Sequence, residues 1–430
     1  MVSKIKNSLI TKTVKSLCSS FPFSSRYNII VISLLFIFFI PTLEETAFTS
    51  NSSKNIWTGT WGTAPQLVEP NNMPPAPGLT NNTLRQVLRI SAGGEIIRLR
   101  FSNVFSKDPV TIKLAGIAVS INGYTIDKKT QKLLKFKGKK QVTMRPGGEV
   151  LSDPLKFHLE SGSKLAITIC FGNTSSDITG HPGSRTTSYI VPGNRSISAD
   201  FGKAVLTDHW YVINGIDVMA PKTAGAIAIL GNSITDGRGS GTNKQNRWPD
   251  ILSERLLKNP ATSHLGVLNM GIGGNCVVSG GLGPTALSRF DRDILSQSNV
   301  KWLIVFEGIN DIGGSQNKEA ASRTVKELIS AYSRMIEKAH SKGIKVYGAT
   351  LLPFGGSFYD TDFRQTSRDT VNTWIRGEDH FDAVIDFDQF MRDPSNFMII
   401  LPGWHSGDFL HPNEAGYKKM AGTIDLRLFE

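Results

Sequence analysis

A change of hydrophobic period near residue 221 constrains this chain more than any other feature of its sequence. From Trp57 to about Ala220, runs such as Ile96-Ile97-Arg98-Leu99-Arg100-Phe101, Ile112 to Val119 and Leu165 to Cys170 are short, strand-like and separated by Gly, Pro and Asn turns. This spacing predicts an all-β region of sandwich or jelly-roll type. After Pro221-Lys222-Thr223 the pattern changes to strands alternating with helices. Val325, Leu328, Ile329, Tyr332, Met335, Ile336 and Ala339 recur at helical spacing and stop at Gly343, the apolar face of one long helix. Trp248-Pro249 opens another, with proline where a first turn tolerates it. Strands are expected at Ala226 to Leu230, Val267 to Met270, Lys301 to Glu307, Lys345 to Thr350 and Ala383 to Phe387. Such alternation implies a parallel sheet covered on both faces. The expected organisation is a leader over residues 1–50, a β region over 56–220 and an α/β domain over 224–430.

At 430 residues the chain is long enough for two cores. Its net charge is +12, and residues 1–50 hold five basic residues against two acids, so about +9 remains downstream. That balance favours anionic surfaces such as acidic polysaccharide or phospholipid headgroups over nucleic acid. The densest basic cluster, Lys132 to Lys140, reads as a solvated strand and turn. Ahead of Glu44, a basic, Ser-rich lead precedes the apolar run Ile29 to Ile40. This run is short for a bilayer span, which needs about 20 residues. It reads as a signal peptide, with an uncleaved membrane anchor as the alternative, and either would place the rest outside the cytosol. In an exported chain Cys170 and Cys276 have two readings, a disulfide or two buried thiols. Asn51, Asn81, Asn173 and Asn194 each begin an Asn-x-Ser/Thr acceptor.

Four stretches then follow in order: Gly231-Asn232-Ser233-Ile234-Thr235-Asp236-Gly237, Asn269 to Asn275, Gly308-Ile309-Asn310-Asp311, and Asp408-Phe409-Leu410-His411. A serine hydroxyl is a weak nucleophile and needs an adjacent base that is itself oriented by a third group. His411 and Asp408, three residues apart, can share one side of a single turn, with Asp408 fixing the imidazole while its other nitrogen faces Ser233. Each stretch alone also fits an ordinary turn or helix start. Their order, and their places after predicted strands, make them one constellation, because open α/β sheets gather ligands at the carboxyl ends of strands.

Together the four stretches resemble the sequence blocks of the SGNH (GDSL-type) ester hydrolases, over roughly residues 224–430. The resemblance implies a three-layer αβα domain and a Ser233-His411-Asp408 mechanism. It also implies an oxyanion hole made by the backbone N–H of Ser233, the backbone N–H of Gly274 and the side-chain amide of Asn310. The continuation Asp236-Gly237-Arg238-Gly239-Ser240 to Asn246-Arg247-Trp248-Pro249-Asp250, with a β region ahead of it, is similar to secreted acetylxylan esterases. One position departs from the family, which commonly has Gly-Asp-Ser. Asn232 keeps hydrogen bonds to the loop but lacks the charge, and it is expected to support Ser233 rather than touch substrate.

Two other chemistries compete. The α/β-hydrolases share the order Ser, acid, His, but their elbow is Gly-x-Ser-x-Gly, and Thr235 breaks it. His405, Asp408 and His411 are zinc-ligand types at a spacing of three, yet no second ligand cluster accompanies them. The activity that the resemblance implies is cofactor- and metal-independent ester hydrolysis, with acetyl esters of carbohydrate as the expected substrates. The alternatives are a lipolytic or general acyl esterase and a weakly active carbohydrate-binding surface protein. Trp57, Trp61, Trp210 and Trp404 have two readings, stacking on sugar rings or packing in the interior.

Overall fold

The computed structural model describes residues 55–430; the leader expected over residues 1–50 and the acceptor at Asn51 lie outside the described residues. The described residues, 55–430, fall within one compact unit.

The first part of this unit is built from antiparallel sheets. One runs in the order Asn55–Gly62, Ile213–Pro221, Gly94–Asn103, Gly148–Leu151; the larger runs Val205–Thr207, Ser188–Val191, Thr83–Arg89, Lys164–Phe171, Val110–Val119, Lys132–Leu133. The period of two decides which side chains go inside. Along Gly94–Asn103, Ile97, Leu99 and Phe101 are buried while Arg98 and Arg100 between them are not. Those three join Leu84, Ile112 and Ile167 of the larger sheet in one apolar cluster. Each such side chain contributes about 1.5–3 kcal/mol.

From Ala226 the sheet is parallel, in the order Gly266–Gly271, Ala226–Gly231, Val300–Phe306, Lys345–Ala349, Ala383–Ile385. Every residue of Ala226–Gly231 is buried, as a strand covered on both faces requires. The helix Lys318–His340 starts where the Asn317 side chain accepts from the Ala320 N–H, and it buries Val325, Leu328, Tyr332, Met335 and Ala339 along one face. Most strand ends shift by a residue from expectation, and two of the shifts matter locally. Glu307 lies beyond Val300–Phe306 and turns inward. Phe387 begins a helix, Phe387–Met391, because the Asp386 side chain caps it through the Gln389 N–H. Among the described residues no helix is long and apolar enough to cross a membrane.

The first strand joins the two parts. Its Gly59 N–H donates to the Ser298 carbonyl (2.9 Å), and Thr63 bridges to Asn269 next to the end of a parallel strand. The fit is backbone on backbone: a Cβ on Gly266 would sit 1.9 Å from the Gly59 oxygen.

Candidate active site

The central strands end level with one another. Gly231 pairs with Gly271 on one side and Phe306 on the other. Strand order reverses around Ala226–Gly231, the position at which such sheets open a crevice. Ser233 follows that strand directly, as the first residue of the short helix Ser233–Asp236. The Asn232 side chain caps this helix by accepting from the Ile234 N–H (3.1 Å), which fixes the backbone that presents the serine.

Ser233, His411 and Asp408 come together as their spacing suggested. The Ser233 Oγ lies 2.8 Å from His411 Nε2, and His411 Nδ1 lies 2.7 Å from Asp408 Oδ2. An ionised carboxylate can only accept, so Nδ1 carries the proton and the Nε2 lone pair faces the hydroxyl. The other Asp408 oxygen accepts from the His411 and Leu410 N–H groups at 2.9 and 3.1 Å. This tight turn forces Phe409 to φ +58°, a left-handed conformation that side chains rarely adopt. Burial works against the charge of Asp408, yet those N–H groups and the imidazole hold its carboxyl well below the usual range. Burial likewise lowers His411 below its ordinary value, outweighing the upward pull of Asp408. The imidazole is therefore a neutral base at neutral pH.

Beside the hydroxyl, the backbone N–H groups of Ser233 and Gly274 donate to no acceptor among the described residues. Gly274 has φ +67°, open to glycine without steric cost. The Asn310 amide is held from both ends. Its Nδ2 donates to the Asn275 carbonyl (2.8 Å) and its Oδ1 accepts from the Tyr359 hydroxyl (3.1 Å), leaving one amide hydrogen unused. Asp311 pins the same loop by accepting from the Val277 and Val278 N–H groups. Ser233, His411, Gly274, Asn310 and Tyr359 face a cleft of about 410 Å³, whose far wall comes from the β region through Gln66, Glu69, Asn72, Arg185 and His209.

Three supporting residues are not evident in the sequence. The side chain of Arg289, fully buried, donates to the carbonyls of Gly231 (3.2 Å) and Met270 (2.7 Å) and to Asn275 Oδ1 (3.0 Å). One cation thus ties the ends of two strands to the Gly274 loop. His181 reaches across from the β region, its Nε2 2.9 Å from Asp236 Oδ1 and its Nδ1 3.0 Å from the Ala64 carbonyl oxygen. Glu307, buried under the serine turn, accepts from Asn232 Nδ2 (3.0 Å) and lies 3.8 Å from Arg289. Asn232 is therefore a donor to the Glu307 carboxyl, a role that an ionised aspartate cannot fill.

Burial pushes the Glu307 carboxyl up to about 8 despite Arg289, from an ordinary 4.5. The folded protein then keeps a proton that the unfolded chain has lost. The resulting stability is fully present below pH 4.5 and is lost as pH rises through about 8. Glu307→Gln is expected to remove this dependence. Urea midpoints at pH 5 and pH 8 should draw apart in the parent and stay closer in the variant, by several kcal/mol of relative stability. Parallel curves would show that Glu307 does not titrate in this window.

Cys170 and Cys276 are both buried free thiols, so the disulfide reading does not hold. Trp61 and Trp210 meet edge to face at 5.0 Å inside the protein, and Trp210 Nε1 donates to the Val87 carbonyl, so neither is open to a sugar. Trp57 lies under Arg98 and Trp404 near Lys419. His405 stacks on Phe409 at 4.3 Å, and among the described residues no group of three His, Cys, Asp or Glu side chains is placed to hold a metal ion.

Residues 229–419 match the model of the GDSL-like lipase/acylhydrolase family. No curated protein is a significant match. Similar solved structures include a GDSL-like lipase from Bacteroides thetaiotaomicron, 19% identical over 47% of this chain and 87% of that chain, with a TM-score of 0.34. Another is a catalytic mutant of an acetylxylan esterase from Geobacillus stearothermophilus, 18% identical over 47% of this chain and 93% of that chain, with a TM-score of 0.35.

Proposed function

We propose that this chain, an ester hydrolase whose residues 229–419 are of the GDSL-like lipase/acylhydrolase type, removes short acyl groups from carbohydrate through an acyl-enzyme on Ser233. The observation that carries this reading is the unbroken chain from Asp408 through His411 to the Ser233 hydroxyl, at 2.7 and 2.8 Å. His411 Nε2 takes the hydroxyl proton as Oγ bonds to the ester carbon. The negative oxygen that forms is stabilised by the Ser233 and Gly274 N–H groups and the free amide hydrogen of Asn310. The bond to the alcohol oxygen then breaks, and the imidazolium returns its proton to that oxygen. Water repeats the sequence in reverse to free the acid and restore Ser233.

The carbohydrate half of the reading rests on the wall of the cleft. Gln66, Asn72, His209 and Arg238 offer polar groups suited to a polyhydroxylated alcohol. Phe358, 70% exposed at the same cleft, favours a second reading in which a longer acyl chain lies on its ring. The leader expected over residues 1–50 would deliver this site outside the cytosol.

A fluorophosphonate should add its mass to the peptide containing Ser233 and abolish hydrolysis of 4-nitrophenyl acetate, with or without a chelator. Acetyl esters should be cleaved faster than octanoyl esters. Labelling elsewhere, or activity that a chelator removes, would overturn the serine mechanism. Faster octanoyl cleavage would favour the second reading.

A further inference from the structure

Two arginines on the wall of the cleft have no counter-ion. Arg185 and Arg238 both face the space in front of Ser233 and His411, and among the described residues neither forms an ion pair. Other arginines nearby are engaged: Arg247 with Asp250, and Arg289 and Arg292 with Asp293. The Arg185 Nε is buried without a hydrogen-bond partner. A guanidinium nitrogen left unpaired at such a site is costly, and an ionic partner would satisfy it.

The loop that carries Arg185 is built to hold it. Arg185 has φ +50°, a conformation with a cost of roughly 1–2 kcal/mol. Surrounding bonds maintain it. The Asn243 N–H donates to the Arg185 carbonyl (2.9 Å), Ser184 Oγ donates to Thr186 and Asp208 carbonyls, and Gln245 Nε2 donates to Thr186 Oγ1 (2.7 Å). Arg238 is fixed on the histidine side. Its carbonyl accepts from the Tyr417 hydroxyl (2.6 Å), and the next residue, Gly239, packs against the Pro412 carbonyl just after His411. The cleft also holds two carboxylates, both engaged elsewhere: Gln66 Nε2 (2.5 Å) and Asn72 Nδ2 (3.0 Å) occupy the two oxygens of Glu69, and Asp236 Oδ1 lies 2.9 Å from His181 Nε2.

The side of the cleft matters because His411 hands its proton to the departing alcohol. Groups beside the imidazole therefore flank the alcohol half of the ester, whereas Gly274 and Asn310 flank the carbonyl oxygen. The charges of both arginines reach the imidazole, adding to the lowering that burial produces.

We propose that Arg185 and Arg238 bind an anionic group on the alcohol half of the ester, which makes acylated acidic sugars the preferred substrate class. This rests on the esterase reading above. The shared chemistry is a carboxylate or phosphate on the sugar, and the assay separates them.

The test compares acetylated polygalacturonate with the same polymer after methyl esterification, which removes the charge and keeps the acetyl groups. Acetylated glucose 6-phosphate against acetylated glucose forms the phosphate arm. The charged member of one pair should be preferred about tenfold or more in kcat/KM, mainly through KM. Added salt should reduce the preference. In Arg185→Gln with Arg238→Gln the ratio should collapse toward one, while the corresponding lysine variants retain part of it. The ratio is internal to each protein, so a loss of folded enzyme does not mimic the result. Equal rates within both pairs, with 4-nitrophenyl acetate still cleaved, would overturn this proposal and leave the esterase reading standing. No cleavage of any ester, with Ser233 unlabelled by fluorophosphonate, would overturn the esterase reading itself.

Discussion

Ser233→Ala is expected to lower kcat for 4-nitrophenyl acetate by on the order of 10⁵-fold while leaving the protein folded. The Ser233 Oγ has one partner, His411 Nε2, so its removal costs about 1 kcal/mol of stability or less. Asp408 still orients the imidazole, and the Ser233 and Gly274 N–H groups still face the ester oxygen. Those groups without the nucleophile account for a small residual rate over water, as happens when one member of a coupled triad is removed. Stopped-flow assays at high enzyme concentration, beside circular dichroism of both proteins, separate the two effects. A variant within tenfold of the parent would mean that another group forms the covalent bond.

Arg289→Met is expected to produce the largest loss of stability of any single change near the site, about 3–5 kcal/mol. The guanidinium is enclosed with Asp293 at 3.1 Å and Glu307 at 3.8 Å, so its removal leaves Glu307 without a cation and Asp293 with Arg292 alone. The backbone carbonyls of Gly231 and Met270 each lose a donor as well, and Gly231 keeps the Ile272 N–H. The melting temperature should fall by roughly 5–10 °C. Activity per folded molecule should fall too, because the same bonds hold the strand end before Ser233 and the loop that carries Gly274. At pH well above 8, adding Glu307→Gln to Arg289→Met should recover part of the stability, since the acid left without its cation is then replaced by a neutral amide. A melting temperature unchanged by Arg289→Met would show that the interior relaxes around the missing charge.

The periodicity of the sequence made the parallel sheet legible, and the four stretches, three of them just after its strands, made Ser233, Gly274, Asn310, Asp408 and His411 legible with it. The groups that brace them were not. Arg289 lies in Ser288-Arg289-Phe290-Asp291-Arg292-Asp293, where charges of both signs stand so close together that only the fold shows which of them point inward. Glu307 reads as the last residue of a strand, and its carboxylate gains meaning only beside Asn232, 75 residues earlier. Asn232 itself reads as a lost charge. In the folded protein the acid near the serine turn is Glu307 instead, and the Asn232 amide donates to its carboxyl. Arg185 and His209 were hidden for a related reason: a β region read from its own pattern gives no sign of which loops reach another sheet.

The seam at Gly59 and Gly266 also bears on how such chains can be recombined. Leu268 and Met270 lie against Gly59 and Gly62, so the first strand covers side chains that belong to the parallel sheet. The cleft likewise has one wall from each side of residue 221. A gene fusion that exchanged the N-terminal region for another at that point would therefore transplant half a substrate site and uncover an apolar sheet edge. Specificity in this architecture is inherited by the whole of residues 55–430, not by a portable catalytic cassette.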